Sequence, residues 1–203
     1  MIPSLLRSVR RRLACLLFLG ATLQSPAATV ILDPGHGGED SGAALRGMMA
    51  EKRATLDVAL RASAKLRAVG HRVILTRTSD QFLELSDRVN LANRTSGKPV
   101  FVSLHFNSCS NRSISGIETY YYSRRSLKLA TALHRKIVQS TGAPDRGVRT
   151  ARFYVLRFNK QPSVLLELGF LSHSREGSKI SRSSAYRQKL ADAVAGALHT
   201  SLR

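Results

Sequence analysis

Thr29-Val30-Ile31-Leu32-Asp33-Pro34-Gly35-His36-Gly37-Gly38 is a short apolar run that ends in a turn signal and a histidine set among glycines. Four consecutive apolar or β-branched residues fit a buried strand, and Asp-Pro-Gly stops it. Glu51 then opens a segment in which Leu56, Ala59, Leu60 and Leu66 keep near-helical spacing until Gly70. The same alternation continues outward. His71 to Thr76 reads as a strand, and Leu85, Val89 and Ala92 form a helical stripe before Asn93. Val100 to Leu104 is a third strand with His105 at its C-terminal end, and Ile117 to Tyr122 a fourth. Leu129, Leu133 and Ile137 mark a helix ended at Gly142. Phe153-Tyr154-Val155-Leu156 and Val164-Leu165-Leu166 read as two further strands, and Tyr186, Leu190, Ala193, Val194 and Ala197 give a last helix. Strands alternating with helices predict a single-domain α/β fold, its sheet mostly parallel and flanked by helices on both faces.

The chain has 203 residues, of which 43% are hydrophobic, enough for one well-packed domain. Its first stretch reads as a leader. Arg7, Arg10, Arg11 and Arg12 precede an apolar run from Leu13 to Leu23, and Ser25-Pro26-Ala27 offers small residues for cleavage. This order describes a secretory signal peptide over residues 1–27, leaving 28–203 as one exported domain, periplasmic or secreted. Cys15 stands at the start of the apolar run, whereas a lipidated cysteine would follow it. Beyond the leader only Cys109 remains, so no internal disulfide can form and core packing must carry stability. The leader's four arginines, with no acid beside them, lower the formal charge from +19 to +15. In an exported protein such a surface favours anionic wall polymers or lipid head groups, not nucleic acid.

Four separated segments carry the chemistry. They are Asp33-Pro34-Gly35-His36-Gly37-Gly38, Ala50-Glu51-Lys52, Ser103-Leu104-His105-Phe106-Asn107 and Leu166-Glu167-Leu168-Gly169-Phe170. His36, Glu51 and His105 form a three-ligand zinc set that leaves one position open for water, the arrangement of catalytic zinc, with one Zn2+ per chain. Glu167, among Leu166, Leu168 and Phe170, is the expected general acid/base. Asp33 is the expected partner of a ligand imidazole. Sites in open α/β sheets gather at the carboxyl ends of strands, where His36, His105 and Glu167 fall, while Glu51 reaches in from a helix start. Taken singly, each residue has a plainer explanation: a loop histidine, a core histidine, a first-turn acid, a partner for one of many arginines. Their joint placement selects metal-assisted hydrolysis. His71, His134, His173 and His199 lack such settings and read as surface or packing residues, and the helical H-E-x-x-H zinc motif is absent.

The order of these motifs resembles the zinc-dependent N-acetylmuramoyl-L-alanine amidases of the amidase 3 family. Val30 to Gly38 with Asp40-Ser41-Gly42-Ala43, Glu51-Lys52, Thr76-Arg77, Leu85 to Asn93, Ser103 to Asn107, Arg146-Gly147-Val148, Phe153 to Arg157 and Pro162 to Ser172 carry the likeness over nearly all of residues 28–203. The resemblance implies a mixed six-stranded sheet with flanking helices. It implies cleavage of the amide between the lactyl group of N-acetylmuramic acid and the L-alanine of the peptidoglycan stem peptide. His36, Glu51 and His105 would hold zinc, and Glu167 would be catalytic. His173, Phe106-Asn107 and Arg53-Ala54-Thr55 depart from the family's usual residues without removing a ligand. Some members carry a helix before the last glutamate motif that plugs the site until an activator displaces it. Residues 107–161 leave little chain for one, and no activator is identifiable. Two other readings remain at this level: a zinc peptidase cutting another stem-peptide amide, and a non-catalytic wall- or polyanion-binding module. The second would be favoured by a missing ligand, and none is missing.

Overall fold

A computed structural model describes residues 28–203. The expected signal peptide over residues 1–27 lies outside the described residues. Among the described residues no helix is long and apolar enough to cross a membrane.

The chain runs β1 (Thr29–Pro34), α1 (Glu51–Ala68), β2 (Arg72–Leu75), α2 (Leu85–Arg94), β3 (Val100–Asn107), β4 (Ile117–Tyr121), α3 (Arg124–Thr141), β5 (Asp145–Thr150), α4 (Tyr154–Arg157), β6 (Ser163–Phe170), α5 (Ser174–Arg182) and α6 (Ser184–Ser201). The six strands form one sheet in the order β2-β1-β3-β6-β4-β5. The first four are parallel, β4 runs antiparallel to β6, and β5 is parallel to β4. This is the expected mixed, mostly parallel α/β sandwich.

Strand periodicity divides the interior in two. Val30 and Leu32 of β1, Val102, Leu104 and Phe106 of β3, and Val164, Leu166 and Leu168 of β6 face the larger core, packed on α1, α3 and α6. Alanines at 54, 59, 62, 191, 193 and 195 line that layer, and small side chains let helices lie close to one another and to the sheet. The intervening residues Ile31, Phe101 and Leu165 face a smaller core with Val89 and Ala92 of α2 and Val155 and Leu156 of α4. This thinner side leaves room for a cleft.

Two expected elements change. Phe153-Tyr154-Val155-Leu156 is not a strand, because residues 154–157 form the single turn α4. The sixth strand is instead β5, Asp-Arg-Gly-Val-Arg-Thr, at the edge of the sheet. An apolar four-residue run does not distinguish strand from helix by period. A charged edge strand with a glycine carries little strand signal, although charge is what keeps such an edge from pairing with other chains.

Beneath the β1–α1 connection lies a buried ion pair. Asp33 (1% exposed) accepts from Arg88 (3% exposed) at 2.8 Å, from Thr76 Oγ1 at 2.6 Å and from Ser103 Oγ at 2.7 Å. Removing one member of such a pair strands the other charge in a medium that solvates it poorly. Arg88→Met should therefore lower the unfolding free energy by about 3–5 kcal/mol in urea titrations. A loss below about 1 kcal/mol would show that the two hydroxyls alone sustain Asp33.

Candidate metal centre and active cleft

The residues expected to act together meet at the C-terminal edge of β1, β3 and β6. His36 lies two residues past β1, with a positive φ of 61° that few non-glycine residues adopt. Glu51 is the first residue of α1, where the positive end of the helix favours a carboxylate. His105 is on β3, and its register partner on β6 is Glu167.

Glu51 Oε1 lies 3.0 Å from His36 Nε2 and 3.0 Å from His105 Nδ1. One ligand atom from each of these three residues lies within 4.8 Å of the other two. The two imidazole rings stand edge to face at 80°, their centroids 4.8 Å apart. The carboxylate also accepts from the backbone N–H of Phe106 at 3.0 Å and of Ala43 at 2.9 Å. Burial alone would raise its pKa, but the hydrogen bonds and charges of His105 and His36 outweigh that and hold it well below the usual carboxylate range. A metal ion fits this set: two imidazole nitrogens and an ionised carboxylate converge on one point at the floor of an open cleft. Glycines make the cradle. A Cβ at Gly35 would lie 2.2 Å from the His105 ring, and one at Gly42 2.6 Å from both Glu51 Oε2 and the His36 ring.

Asp33 does not orient a ligand imidazole, contrary to the expectation from sequence, because Arg88, Thr76 and Ser103 take up its oxygens. Asp40 has that role. Its Oδ2 is 2.8 Å from His36 Nδ1, an arrangement that turns Nε2 toward Glu51. The charges of Glu51 and Asp40 raise the pKa of His36 despite a desolvation that works the other way. The short loop Gly37–Asp40 brings Asp40 back beside His36, closed by an isolated bridge between those two residues. Position 40 stands in a recognisable motif, but sequence offers no means of choosing between two nearby aspartates.

Glu167 stands beside this centre and outside it. Its Oε2 is buried and makes no hydrogen bond among the described residues. Burial, reinforced by the charges of Glu51 and Glu118, pushes its pKa up to about 7 against the opposing effect of His105 and His36. The cleft, about 610 Å³, is lined by His36, Glu51, His105 and Glu167, with Phe82 and Leu85 on one side and Phe153 and Tyr154 on the other. The single turn α4 forms the second wall, and it is the only helix between β5 and β6 among the described residues.

Glu118 escaped the sequence reading. It is 3% exposed and is paired in register with Glu167 across β4 and β6. Nothing but position in the fold reveals it, since an acid inside a strand has many possible partners. The other histidines are structural. His134 bonds Thr119 and Asp145, His71 bonds His199, and His173 caps α5 by accepting from the Glu176 backbone N–H. Cys109 is a free, half-buried thiol whose Sγ is 3.1 Å from the Asn111 carbonyl.

A mixed α/β sandwich with a three-donor metal set and a free, buried carboxylate at one sheet edge has the make-up of a metal-dependent hydrolase. Within that class the chain belongs to the N-acetylmuramoyl-L-alanine amidase family, Amidase_3, which it matches over residues 30–200. The N-acetylmuramoyl-L-alanine amidase LytC of Bacillus subtilis (strain 168) is 39% identical over 170 residues, covering 82% of this chain and 34% of LytC. The chain thus spans about a third of the length of LytC. The catalytic domain of CwlV, an amidase from Bacillus (Paenibacillus) polymyxa var. colistinus, shares the fold with a TM-score of 0.81 and 35% identity, covering 85% of this chain and 97% of that one. AmiC2 of Nostoc punctiforme gives 0.80 at 38% identity, covering 85% and 96%.

The burial of Glu167 has a consequence for stability. A carboxyl whose folded pKa exceeds its unfolded value contributes fully below the unfolded value, and that contribution is lost as pH rises through the folded one. The window runs from 4.5 to about 7. In metal-free protein, the Glu167→Gln variant should gain stability over the parent across that window, by on the order of 3 kcal/mol, and the difference should then level off. Denaturant unfolding from pH 4.5 to 8 measures it; parallel stability curves would place the Glu167 carboxylate in water.

Proposed function

We propose that this chain is an exported zinc amidase of peptidoglycan, hydrolysing the amide between the lactyl group of N-acetylmuramic acid and the L-alanine of the stem peptide. The observation that carries this reading is the convergence of His36 Nε2, His105 Nδ1 and Glu51 Oε1 on one point, with Glu167 on the adjacent strand. Family membership supports the substrate. Two imidazoles and a carboxylate favour zinc over harder cations, which prefer all-oxygen sets. Export rests on the order of basic, apolar and small residues in positions 1–27. The charge of +15 that remains after the leader would hold the enzyme near anionic wall polymers.

His36, Glu51 and His105 would hold the zinc. When bound, it supplies a water of lowered pKa and polarises the amide carbonyl. The chain's own groups do the rest. Asp40 accepts the proton on His36 Nδ1 and so leaves Nε2 as the donor atom. Glu167 takes a proton from the attacking water and returns it to the nitrogen of the departing alanine. Burial of Glu167 favours the protonated form and so opposes the pull of His105 and His36 toward the carboxylate, which suits a group that must both take up and release a proton. The intact donor set disfavours a purely wall-binding module.

Purified peptidoglycan digested with the mature protein should release stem peptides with free N-terminal alanine, identified by mass spectrometry, and a chelator should abolish release. Cleavage elsewhere in the peptide would make the enzyme a peptidase.

Glu167→Gln separates proton transfer from metal binding. The variant should keep its zinc and lose roughly 10²–10⁴-fold in turnover. Near-normal turnover at full zinc occupancy would remove Glu167 from the chemistry, and zinc lost along with activity would make it a ligand.

A further inference from the structure

We infer that Arg146 and Arg149 of β5, set in place by the buried Glu118, form a subsite for a free carboxylate on the stem-peptide residue that follows the L-alanine. The inference rests on the amidase reading and names what that site selects.

The sheet supplies the alignment. In β4, Ile117 packs in the larger core and Thr119 bonds His134 of α3, so Glu118 and Tyr120 face the other side, where Tyr120 packs on the smaller core. In β6, Leu166 and Leu168 face the larger core, so Glu167 faces the same side as Glu118. Arg149 is the register partner of Tyr120. One face of the sheet therefore carries, strand by strand, His105, Glu167, Glu118 and the two arginines.

Glu118 is held rigidly. Its Oε2 accepts from Asn107 Nδ2 and from the Tyr120 hydroxyl, each at 2.9 Å, and its Oε1 accepts from Arg146 Nε at 2.9 Å. Arg149 Nη1 lies 3.8 Å from the same oxygen. One carboxylate between two guanidiniums leaves a positive charge unneutralised. Arg146 is engaged through Nε only, and its two terminal nitrogens donate to nothing among the described residues. Its guanidinium also sits 5.2 Å from the centre of the Phe170 ring, a second contact that fixes its plane. A planar fork already oriented, with both outer nitrogens free, is the group that binds a carboxylate in two-point fashion.

Direction and distance agree with this assignment. Glu167 returns its proton to the leaving nitrogen, so the departing peptide lies on the Glu167 side of the metal triad, toward β4 and β5. Neighbouring strands are about 4.8 Å apart, so a guanidinium rooted on β5 and bonded over β4 lies roughly 5–10 Å from the β6 strand. Two extended residues span about 7 Å. The carboxylate of the residue after alanine falls in that interval.

Two muramoyl dipeptides test the subsite, identical except that one ends in a free carboxylate and the other in its carboxamide. KM and kcat are measured for the zinc-loaded parent, Arg146→Gln and Arg149→Gln; Arg149 is the more exposed of the two, so its variant carries little risk to folding. The parent should favour the acid in KM by on the order of tenfold, the worth of one charge-assisted hydrogen bond. In both variants the ratio of the two KM values should fall toward one. A parent that cleaves both substrates with equal KM keeps the amidase reading and overturns the subsite. Variants that retain the parent's preference also overturn it. A parent that releases peptide from neither substrate, nor from peptidoglycan, removes the amidase reading and the subsite with it.

Discussion

Two guanidiniums inside the protein hold up the segment on which everything else rests. The connection from β1 to α1 carries His36 and delivers Glu51, and its backbone carbonyls point inward where water cannot reach them. Arg77, 1% exposed, donates to the carbonyls of Pro34, Gly35 and Lys52. Arg88 donates to Asp33 and to the carbonyls of Pro34 and His36. A buried carbonyl without a donor costs about as much as a lost hydrogen bond, so the loop can hold its tight, partly left-handed path only with these donors beneath it. The left-handed backbone at His36 and the close approach of Gly35 to the His105 ring depend on the same support.

Charge is distributed in a way that composition does not show. The chain is strongly basic, yet Asp33, Asp40, Glu51, Glu118 and Glu167, five of its thirteen acids, gather at one edge of the sheet. Each is treated differently by its surroundings. Asp33 is neutralised by Arg88, Glu51 is kept ionised by two imidazoles and two backbone N–H groups, and Asp40 bonds a histidine at the rim. Glu167 alone has a buried oxygen with no donor. A carboxyl left in that condition favours the proton-bearing form, whereas the surroundings of Glu51 favour the ionised one, a contrast that residue type alone does not reveal.

What could be read from the sequence was what depends on local pattern. The strands beginning at Thr29, Val100 and Val164 are apolar runs with clear stops, and His36, Glu51, His105 and Glu167 sit at element ends that the pattern places together. What could not be read depends on partners distant along the chain. The run at Phe153 packs as one helical turn because Val155 and Leu156 enter the smaller core from that geometry. β5 is a strand because β4 pairs with it, despite a composition that says loop. The helix from Ser174 is short and polar, and it forms where His173 caps it and Glu176 accepts from the N–H groups of Phe170 and Gly116. The choice of Asp40 over Asp33 as the histidine's partner is settled by three hydroxyl and guanidinium donors that only the fold brings to Asp33.

The change of strand direction at β4 explains why these distant contributions reach the site at all. In the parallel part of the sheet, β2, β1, β3 and β6 all end at the edge that carries the cleft, and β1, β3 and β6 bring His36, His105 and Glu167 to it. β4 runs against β6, so the beginning of β4, with Glu118, lies beside the end of β6, with Glu167. β5 is parallel to β4 and brings its own beginning, with Arg146, to the same edge. Had β4 been parallel to β6, Glu118 and Arg146 would stand at the opposite end of the sheet from Glu167. The mixed topology thus brings two groups of side chains to one edge: His36, His105 and Glu167 at the ends of β1, β3 and β6, with Glu51 from α1, and Glu118 with the oriented arginines from β4 and β5, the two strands that run against β6.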